Sequence, residues 1–356
     1  MNILDHMAQY GHEQLVYCQD ANVGLRAIIC VHDTTLGPAL GGARMYPYAS
    51  EEEATLDALR LARAMTFKAA AAGLGLGGGK AVIIGDPHRD KSEALFRALG
   101  RQIEALGGRY YTTEDVGTSV RDMEWVREET RFVTGLPLEQ GFSGDPSPAT
   151  ALGVWQGMKA AAKEVFGSDA LSGLTIAVQG VGKVGCALAR YLHEEGAKLI
   201  VTDANEASAK RARQDFDADL IAPDRIYDVD CDILSPNALG AVLNPNTIPR
   251  LRCRLVAGAA NNQLLSEEDG EELHRRGILY APDYVLNAGG IINLSYELTR
   301  YSAELAQARV RRIYETVEKL IALARSQGVS MARAADRMAE ERLSAARSVK
   351  TLYLQH

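Results

Sequence analysis

The feature that most constrains this chain is the run Gly180-Val181-Gly182-Lys183-Val184-Gly185. It is a GxGxxG that follows an apolar hexamer (LTIAVQ, 174–179) and opens a helical pattern, and Asp203 closes the next apolar segment about 20 residues on. Glycine triplets at this spacing arise by chance, and a βα turn that binds nothing can carry one. The strand before it, the helix after it and the acid at the end of the following strand make the match specific. Each glycine has a job: Gly180 for the tight turn, Gly182 for close backbone approach to a pyrophosphate, Gly185 for packing of helix on sheet. The helix N-terminus offers free N–H groups and a positive dipole end to the phosphates. Asp203 is placed to accept from the adenosine ribose hydroxyls and to repel a 2′-phosphate, which predicts NAD over NADP as the cofactor. Lys183, inside the loop, reads as a solvated surface lysine.

Around this motif the rhythm is strand, helix, strand. KLIVTD (198–203), CDILSP (231–236) and LVAGAA (255–260) read as further short strands, with helices over 183–195 and 205–216. That alternation builds βαβ units on a parallel sheet. A chain of 356 residues is long enough for two domains, and the Gly/Pro/Ser-rich GFSGDPSP marks the junction near 141–148. Before it, GLRAIICVH (24–32) reads as a strand. Ser50 with Glu53 looks like a capping box, and Ala54, Ala58, Leu61, Ala62 and Met65 trace one face of a helix running to about Ala72. The glycines from Gly73 to Gly79 read as the turn that stops it, ahead of a short buried strand from Lys80. A helix over about 91–106 and a strand over 109–113 lead into Glu114-Asp115. In the tail, Leu305, Val310, Ile313, Val317, Leu320 and Ile321 form one apolar stripe, followed by a charged helix over 331–347. The fold class is α/β with two domains.

Composition removes other classes. A formal net charge of −7 argues against a phosphate-tracking surface, hence against nucleic acid as a partner. The five cysteines are an odd number, scattered, with no CxxC, which fits reduced thiols. The seven histidines include no HExxH, so no metal site is expected. Asp5 and His6 stand where a signal peptide needs an apolar run, and no stretch of about 18 apolar residues exists to span a bilayer. A cytoplasmic protein without a membrane partner is the expectation.

The run Gly73-Leu74-Gly75-Leu76-Gly77-Gly78-Gly79-Lys80 resembles a phosphate loop and fails as one. Ala81 follows the lysine where a Ser or Thr would hold magnesium, and the glycines precede their strand. A lysine delivered to a cleft by a stretch without side chains is the better reading. Desolvation favours the neutral amine, so Lys80 is a candidate base; a surface lysine at a strand start is the plain alternative. Lys68 lies in an apolar helical stretch (AMTFKAAAAG), either snorkelling to solvent or serving a ligand. Glu114-Asp115 closes a strand, an address shared by catalytic carboxylates and helix N-caps.

Seven segments together resemble one family: GPALGGAR (37–44), GLGLGGGKAVI (73–83), TEDVGT (113–118), GDPSPATA (144–151), VQGVGKVG (178–185), AGAANNQL (257–264) and APDYVLNAGG (281–290). They are similar to the amino-acid dehydrogenases of the glutamate, leucine, phenylalanine and valine type, over nearly the whole chain, and most of all to the leucine branch. The resemblance implies NAD-dependent, reversible oxidative deamination of branched-chain L-amino acids to 2-oxo acids and ammonia. An aromatic amino-acid dehydrogenase and a non-catalytic dinucleotide sensor are the alternatives. It implies Lys80 as general base and Asp115 as proton exchanger with the substrate amine. Lys68, Asn262 and the Gly41 backbone would take the substrate carboxylate. Thr150 would bond the nicotinamide amide, with Asn262 beside the cofactor. Leu40, Met65, Thr113, Thr134, Ile291 and Leu294 would line the substrate site. Residues larger than the leucine branch commonly carries, at Thr113, Ile291 and Leu294, imply a small pocket that disfavours aromatic substrates. Further implications are a substrate-binding and oligomerisation domain at 1–140, with the helix at about 331–356 returning to it, and a Rossmann NAD domain at 141–330. A cleft would lie between the two, and the chain would form a homo-oligomer, octamer or dimer.

Overall fold

The computed structural model describes residues 2–353 and, for side chains, 2–349. The chain forms two compact units. The first holds everything up to Asp145, Leu294–Tyr301 and the chain from Ala339 on; the second holds Pro146–Asn293 and Ser302–Met338.

The first unit opens with α1 (Ile3–Tyr10) and is built on five strands: β1 (Gln14–Asp20), β2 (Leu25–Asp33), β3 (Ala39–Tyr46), β4 (Gly77–Ile84) and β5 (Tyr110–Glu114). Their order is β1-β2-β4-β3-β5. β2 is antiparallel to β1 and β4, whereas β3 runs parallel to β4 and β5, so the sheet is mixed. α2 (Glu51–Ala71), α3 (Glu93–Glu104) and α4 (Val120–Arg127) complete the layers. On one face Ile28, Cys30 and Val82 pack under Ala54, Ala58, Leu59 and Ala62 of α2. On the other, Ala27, Ile29, Val31, Ala81 and Ile83 meet Leu95, Phe96, Leu99 and Ile103 of α3. Both faces are covered, which is why β2 reads as a continuous apolar run and not as an alternation. Side chains on successive strand residues point to opposite faces, so Lys80 shares the α2 face with Val82.

Ser50 Oγ caps α2 by accepting from Glu53 N (3.1 Å), and Glu53 Oε2 accepts from Ala49 N (2.8 Å). The expected glycine turn needs correction. Gly77, Gly78 and Gly79 lie inside β4, where a Cβ on Gly77 would sit 1.9 Å from Asp33 O and one on Gly78 2.1 Å from Thr66 N. Glycine is there to let α2 and β2 close on the strand, not to turn the chain.

The second unit carries β6 (Thr175–Gln179), β7 (Lys198–Thr202), β8 (Asp219–Leu220), β9 (Ile233–Pro236), β10 (Leu255–Val256) and β11 (Leu279–Tyr280). The order β11-β10-β9-β6-β7-β8, parallel at every pairing, is that of a dinucleotide-binding Rossmann sheet. The helices are α5 (Ser147–Phe166), α6 (Lys183–Glu194), α7 (Glu206–Phe216), α8 (Glu267–Arg275), α9 (Asp283–Leu286), α10 (Gly289–Ser295), α11 (Ala303–Arg311), α12 (Ile313–Gln327) and α13 (Met331–Tyr353). The strand expected over 255–260 ends at Val256, because Pro236 of the neighbouring strand has no N–H to extend the ladder. Val310, Ile313, Val317 and Leu320 are buried as the apolar stripe predicts, but Leu305 is exposed. No helix among the described residues is long and apolar enough to cross a membrane.

Candidate active site

Lys80 lies within β4 with only 4% of its surface exposed, and its Nζ stands 2.6 Å from Asp115 Oδ2. Asp115 follows the last residue of β5. A Cβ on Gly42 of β3 would fall 2.6 Å from Asp115 Cβ, so the glycine makes room for the carboxylate. Burial pushes the Lys80 pKa down, Asp115 opposes the shift, and the Arg44 guanidinium adds to it; the net value is below the ordinary 10.5. For Asp115 burial alone would raise the pKa, but Lys80 and then Arg44 hold it below the usual carboxylate value. The result is a poorly solvated lysine paired with an ionised acid, suited to moving a proton.

Arg44, which sequence reasoning quoted within a motif and gave no role, donates from Nε to Asp115 Oδ2 (3.0 Å) and from Nη1 to Asp57 Oδ2 (3.1 Å). The hydroxyl of Tyr48 donates to that same Asp57 oxygen (2.6 Å). Asp57 and Tyr48 were missed altogether. A charged residue in an otherwise apolar and glycine-rich strand was the signal available for Arg44.

The other candidate residues of the substrate site lie on β3, α2 and β5 and in the segments 133–135 and 289–295. Leu40 is buried on β3, and Gly41 beside it receives the Tyr110 hydroxyl on its carbonyl (2.7 Å). Met65 and Lys68 are half-buried on α2, and a Cβ on Gly41 would lie 3.5 Å from Met65 Cγ. Thr134 is buried and donates to Thr112 O (3.2 Å). Thr113 and Leu294 meet at Gly135, whose Cβ would lie 2.6 Å from Thr113 Oγ1 and 3.4 Å from Leu294 Cδ2. Ile291, buried, precedes Leu294 by one turn of α10.

In the second unit the glycine loop joins β6 to α6. Gly180 has φ 93°, and a Cβ on Gly185 would fall 2.0 Å from Gly180 O, so both are structurally required. Gly182 is different: a Cβ there meets nothing within 4 Å. No protein neighbour demands glycine at that point, and a side chain there would enter open space at the start of α6. Val181 is buried, Val184 half-buried and Lys183 exposed. Asp203 Oδ2 accepts from Val181 N (2.8 Å) and Oδ1 from Asn205 N (2.8 Å), so the acid also holds the glycine loop. Thr150 lies in the first turn of α5 and donates to Pro146 O (3.0 Å). Asn262 is exposed and adopts φ 53°, a left-handed conformation that Asn tolerates better than most residues. Asn287, not anticipated from sequence, braces the same loop by donating to Ala259 O (3.0 Å) and Asn261 Oδ1 (2.9 Å). Among the described residues no cluster of three His, Cys, Asp or Glu could hold a metal ion.

A Rossmann sheet with its fingerprint loop and, in the same chain, a mixed-sheet unit bearing a buried lysine–aspartate pair define a dinucleotide-dependent enzyme class. Family comparison narrows it. The dimerisation domain of Glu/Leu/Phe/Val dehydrogenases matches residues 12–132, and the Glutamate/Leucine/Phenylalanine/Valine dehydrogenase domain matches 141–207 and 200–350. The chain is 59% identical to a leucine dehydrogenase of Thermoactinomyces intermedius over 100% of its own length and 97% of the relative's. It is 56% identical to that of Geobacillus stearothermophilus, with the same coverages. Among solved structures, the L-tryptophan dehydrogenase of Nostoc punctiforme superposes with a TM-score of 0.84 at 43% identity, covering 97% of this chain and 99% of that one. The chain belongs to the Glu/Leu/Phe/Val dehydrogenase family.

Proposed function

We propose that this chain catalyses the NAD-dependent, reversible oxidative deamination of branched-chain aliphatic L-amino acids, leucine with valine and isoleucine, to 2-oxo acids and ammonia. The observation that carries the reading is the buried Lys80–Asp115 pair, 2.6 Å apart, in a chain matched end to end by leucine dehydrogenases. Gly180–Gly185 would hold NAD, with Asp203 at the ribose and Thr150 and Asn262 at the nicotinamide end, and NAD so bound would supply the hydride acceptor. Gly182 opening into free space supports that placement.

The chain's own residues handle carboxylate, protons and water. Lys68, Asn262 and the Gly41 N–H take the substrate carboxylate. Asp115 accepts a proton from the substrate ammonium, since hydride can leave Cα only once the amine is neutral. Lys80 takes a proton from the water that adds to Cα of the imino acid. Burial lowers its pKa below the ordinary lysine value and so favours the neutral amine that a base requires. The carbinolamine so formed collapses to the C=O of the 2-oxo acid as its C–N bond breaks, the hydroxyl proton passing to the nitrogen that leaves as ammonia. Leu40, Met65, Thr113, Thr134, Ile291 and Leu294 receive the side chain. None bears a charge, so the second carboxylate of glutamate finds no cation. The crowding of Thr113 and Leu294 at Gly135 supports a small pocket. One methylene is worth about 1–3 kcal/mol, so leucine, isoleucine and valine overlap as substrates. The dimerisation-domain match supports a homo-oligomer, octamer or dimer.

The test follows NADH absorbance at alkaline pH with NAD and, in turn, leucine, valine, phenylalanine and glutamate. Fast reduction with leucine or valine and little with phenylalanine is expected. Equal rates on phenylalanine overturn the pocket assignment, and no turnover with any amino acid, despite NAD binding, overturns the enzyme.

A further inference from the structure

Asp115 receives two cations on one oxygen. Both Lys80 Nζ (2.6 Å) and Arg44 Nε (3.0 Å) approach Oδ2, and no bond to Oδ1 is made within the described residues. The guanidinium is held at its other edge by Asp57 Oδ2, which Tyr48 in turn fixes. Arg44 therefore spans two carboxylates from different elements, Asp57 on α2 and Asp115 after β5, and a planar fork gripped on two sides cannot swing. Strand alternation places Arg44, Gly42 and Lys80 on the α2 face of the sheet, with Arg44 in register with Val82 of β4. The groups facing Lys80 are Asp115, Arg44 and Asp57, with Cys30 of β2 paired to it in register and Tyr110 packed on the neighbouring Gly79.

We infer that Arg44 is a positioning residue for the proton-transfer pair: it pins Oδ2 of Asp115 against Lys80 and leaves Oδ1 turned to the substrate amine. The inference rests on the proposed function, because it assigns Oδ1 a task in that reaction. A purely structural ion pair would have no use for sharing the oxygen already bound by Lys80. The geometry also requires arginine. A lysine at position 44 presents a point charge that cannot bridge two carboxylates in one plane.

The experiment compares wild type, Arg44→Lys and Arg44→Met for leucine oxidation across pH, together with NAD affinity and thermal midpoint. Without Arg44, Asp115 gives its whole charge to Lys80, which then holds its proton to higher pH. The rising limb of kcat/KM in Arg44→Met moves alkaline by about one pH unit, an approximately tenfold loss at fixed pH on that limb. Arg44→Lys keeps the charge and loses the bridge, so kcat falls about tenfold or more with NAD affinity unchanged. An unmoved limb in Arg44→Met overturns the inference, as does wild-type kcat in Arg44→Lys, whatever happens to the thermal midpoint. If Arg44→Met does not fold, the kcat of Arg44→Lys decides alone. If the wild type oxidises no amino acid, the functional reading fails separately. Competitive acetylation of Lys80 across pH, read by mass spectrometry, then shows whether the Arg44→Met exchange raises its pKa, and no rise sinks the inference.

Discussion

At the scale of single residues, burial does the chemical work. Lys80 is costly to keep charged where it stands, and Asp115 is the group that makes the cost tolerable. Replacing Lys80 by Ala removes the proposed base and leaves the Gly180–Gly185 loop intact in sequence. Turnover is expected to fall by about 10²–10⁴-fold while NAD titration by fluorescence stays as in wild type; near-normal turnover would take Lys80 out of the mechanism. In the wild type, the limb of kcat/KM that rises with pH should have its midpoint below 10.5, because the neutral amine is the active form and its pKa is lowered. The structure also refines the test at Asp203. Since Oδ2 accepts from Val181 N, Asp203→Ser loosens the glycine loop as well as losing the charge, whereas Asp203→Asn keeps an acceptor there. Asp203→Asn is expected to weaken NAD and narrow the gap to NADP; an equal loss for both cofactors would mean that the ribose contact is misassigned. Local signals single out Lys80 after its glycines and Asp203 at a strand end, whereas the strand-end address of Asp115 suits a helix N-cap equally and its role comes only with the family resemblance. The Arg44–Asp115 bond joins residues 71 apart in sequence, and no local pattern announces such a contact.

At the scale of elements, the active strand owes its place to missing side chains. α2 is rich in alanine on its sheet face, and Gly78 lets it approach until a Cβ would be 2.1 Å from Thr66 N and 2.4 Å from Thr66 Oγ1. Gly78→Ala must push the helix off β4, a strain of about 1–3 kcal/mol. Because α2 carries Lys68 and Asp57 and β4 carries Lys80, kcat should fall along with the thermal midpoint. A variant melting as wild type with full activity would show that the close approach is dispensable. The same glycines explain what sequence reading lost. A run of Gly in isolation reads as a turn, because the atoms that exclude Cβ belong to Asp33, Thr66 and Tyr110, brought there by tertiary packing. β3 escaped notice for a like reason, since GPALGGAR lacks the β-branched residues that mark strands. In the second unit β6, β7 and β9 lie within two residues of their expected bounds, because helices of clear period separate them, whereas the two-residue strands β8 and β11 are too short to leave a pattern and β10 stops four residues early. Leu305 shows the limit of periodicity alone: it keeps the spacing of the stripe and yet faces solvent.

At the scale of the whole molecule, the last helix contributes to the first unit through two arginines of different kinds. Arg342 donates to three carbonyls at the end of α2 and just beyond it: Ala69 (3.3 Å), Ala70 (2.8 Å) and Leu74 (2.7 Å). Ala69 O and Ala70 O also accept from Leu74 N (3.0 Å) and Gly73 N (3.0 Å), and a cation suits the negative end of the helix. Arg347 instead pairs with Asp33 at 2.5 Å, an exposed guanidinium on a carboxylate that is 3% exposed. Burial alone would raise the Asp33 pKa, but the Thr35 N–H and Arg347 hold it below 3.8. A carboxylate with a depressed folded-state pKa contributes stability that is present above the unfolded pKa and lost as pH falls through the folded one. Carbonyls do not titrate, so the two arginines predict different pH behaviour. Arg347→Ala should cost about 1–3 kcal/mol at pH 7, less than a fully buried pair because the guanidinium is screened by solvent. That cost should shrink as the pH is lowered, since Asp33 becomes protonated in both proteins. Arg342→Ala should cost about 1–3 kcal/mol as well, and the part of that loss that comes from the three carbonyl bonds is independent of pH. Urea unfolding of both variants and wild type from pH 7 downwards measures the two gaps side by side. A constant gap for Arg347→Ala would remove Asp33 from the acid lability of the fold, and a gap for Arg342→Ala that closes in acid would mean its partners include a titrating group.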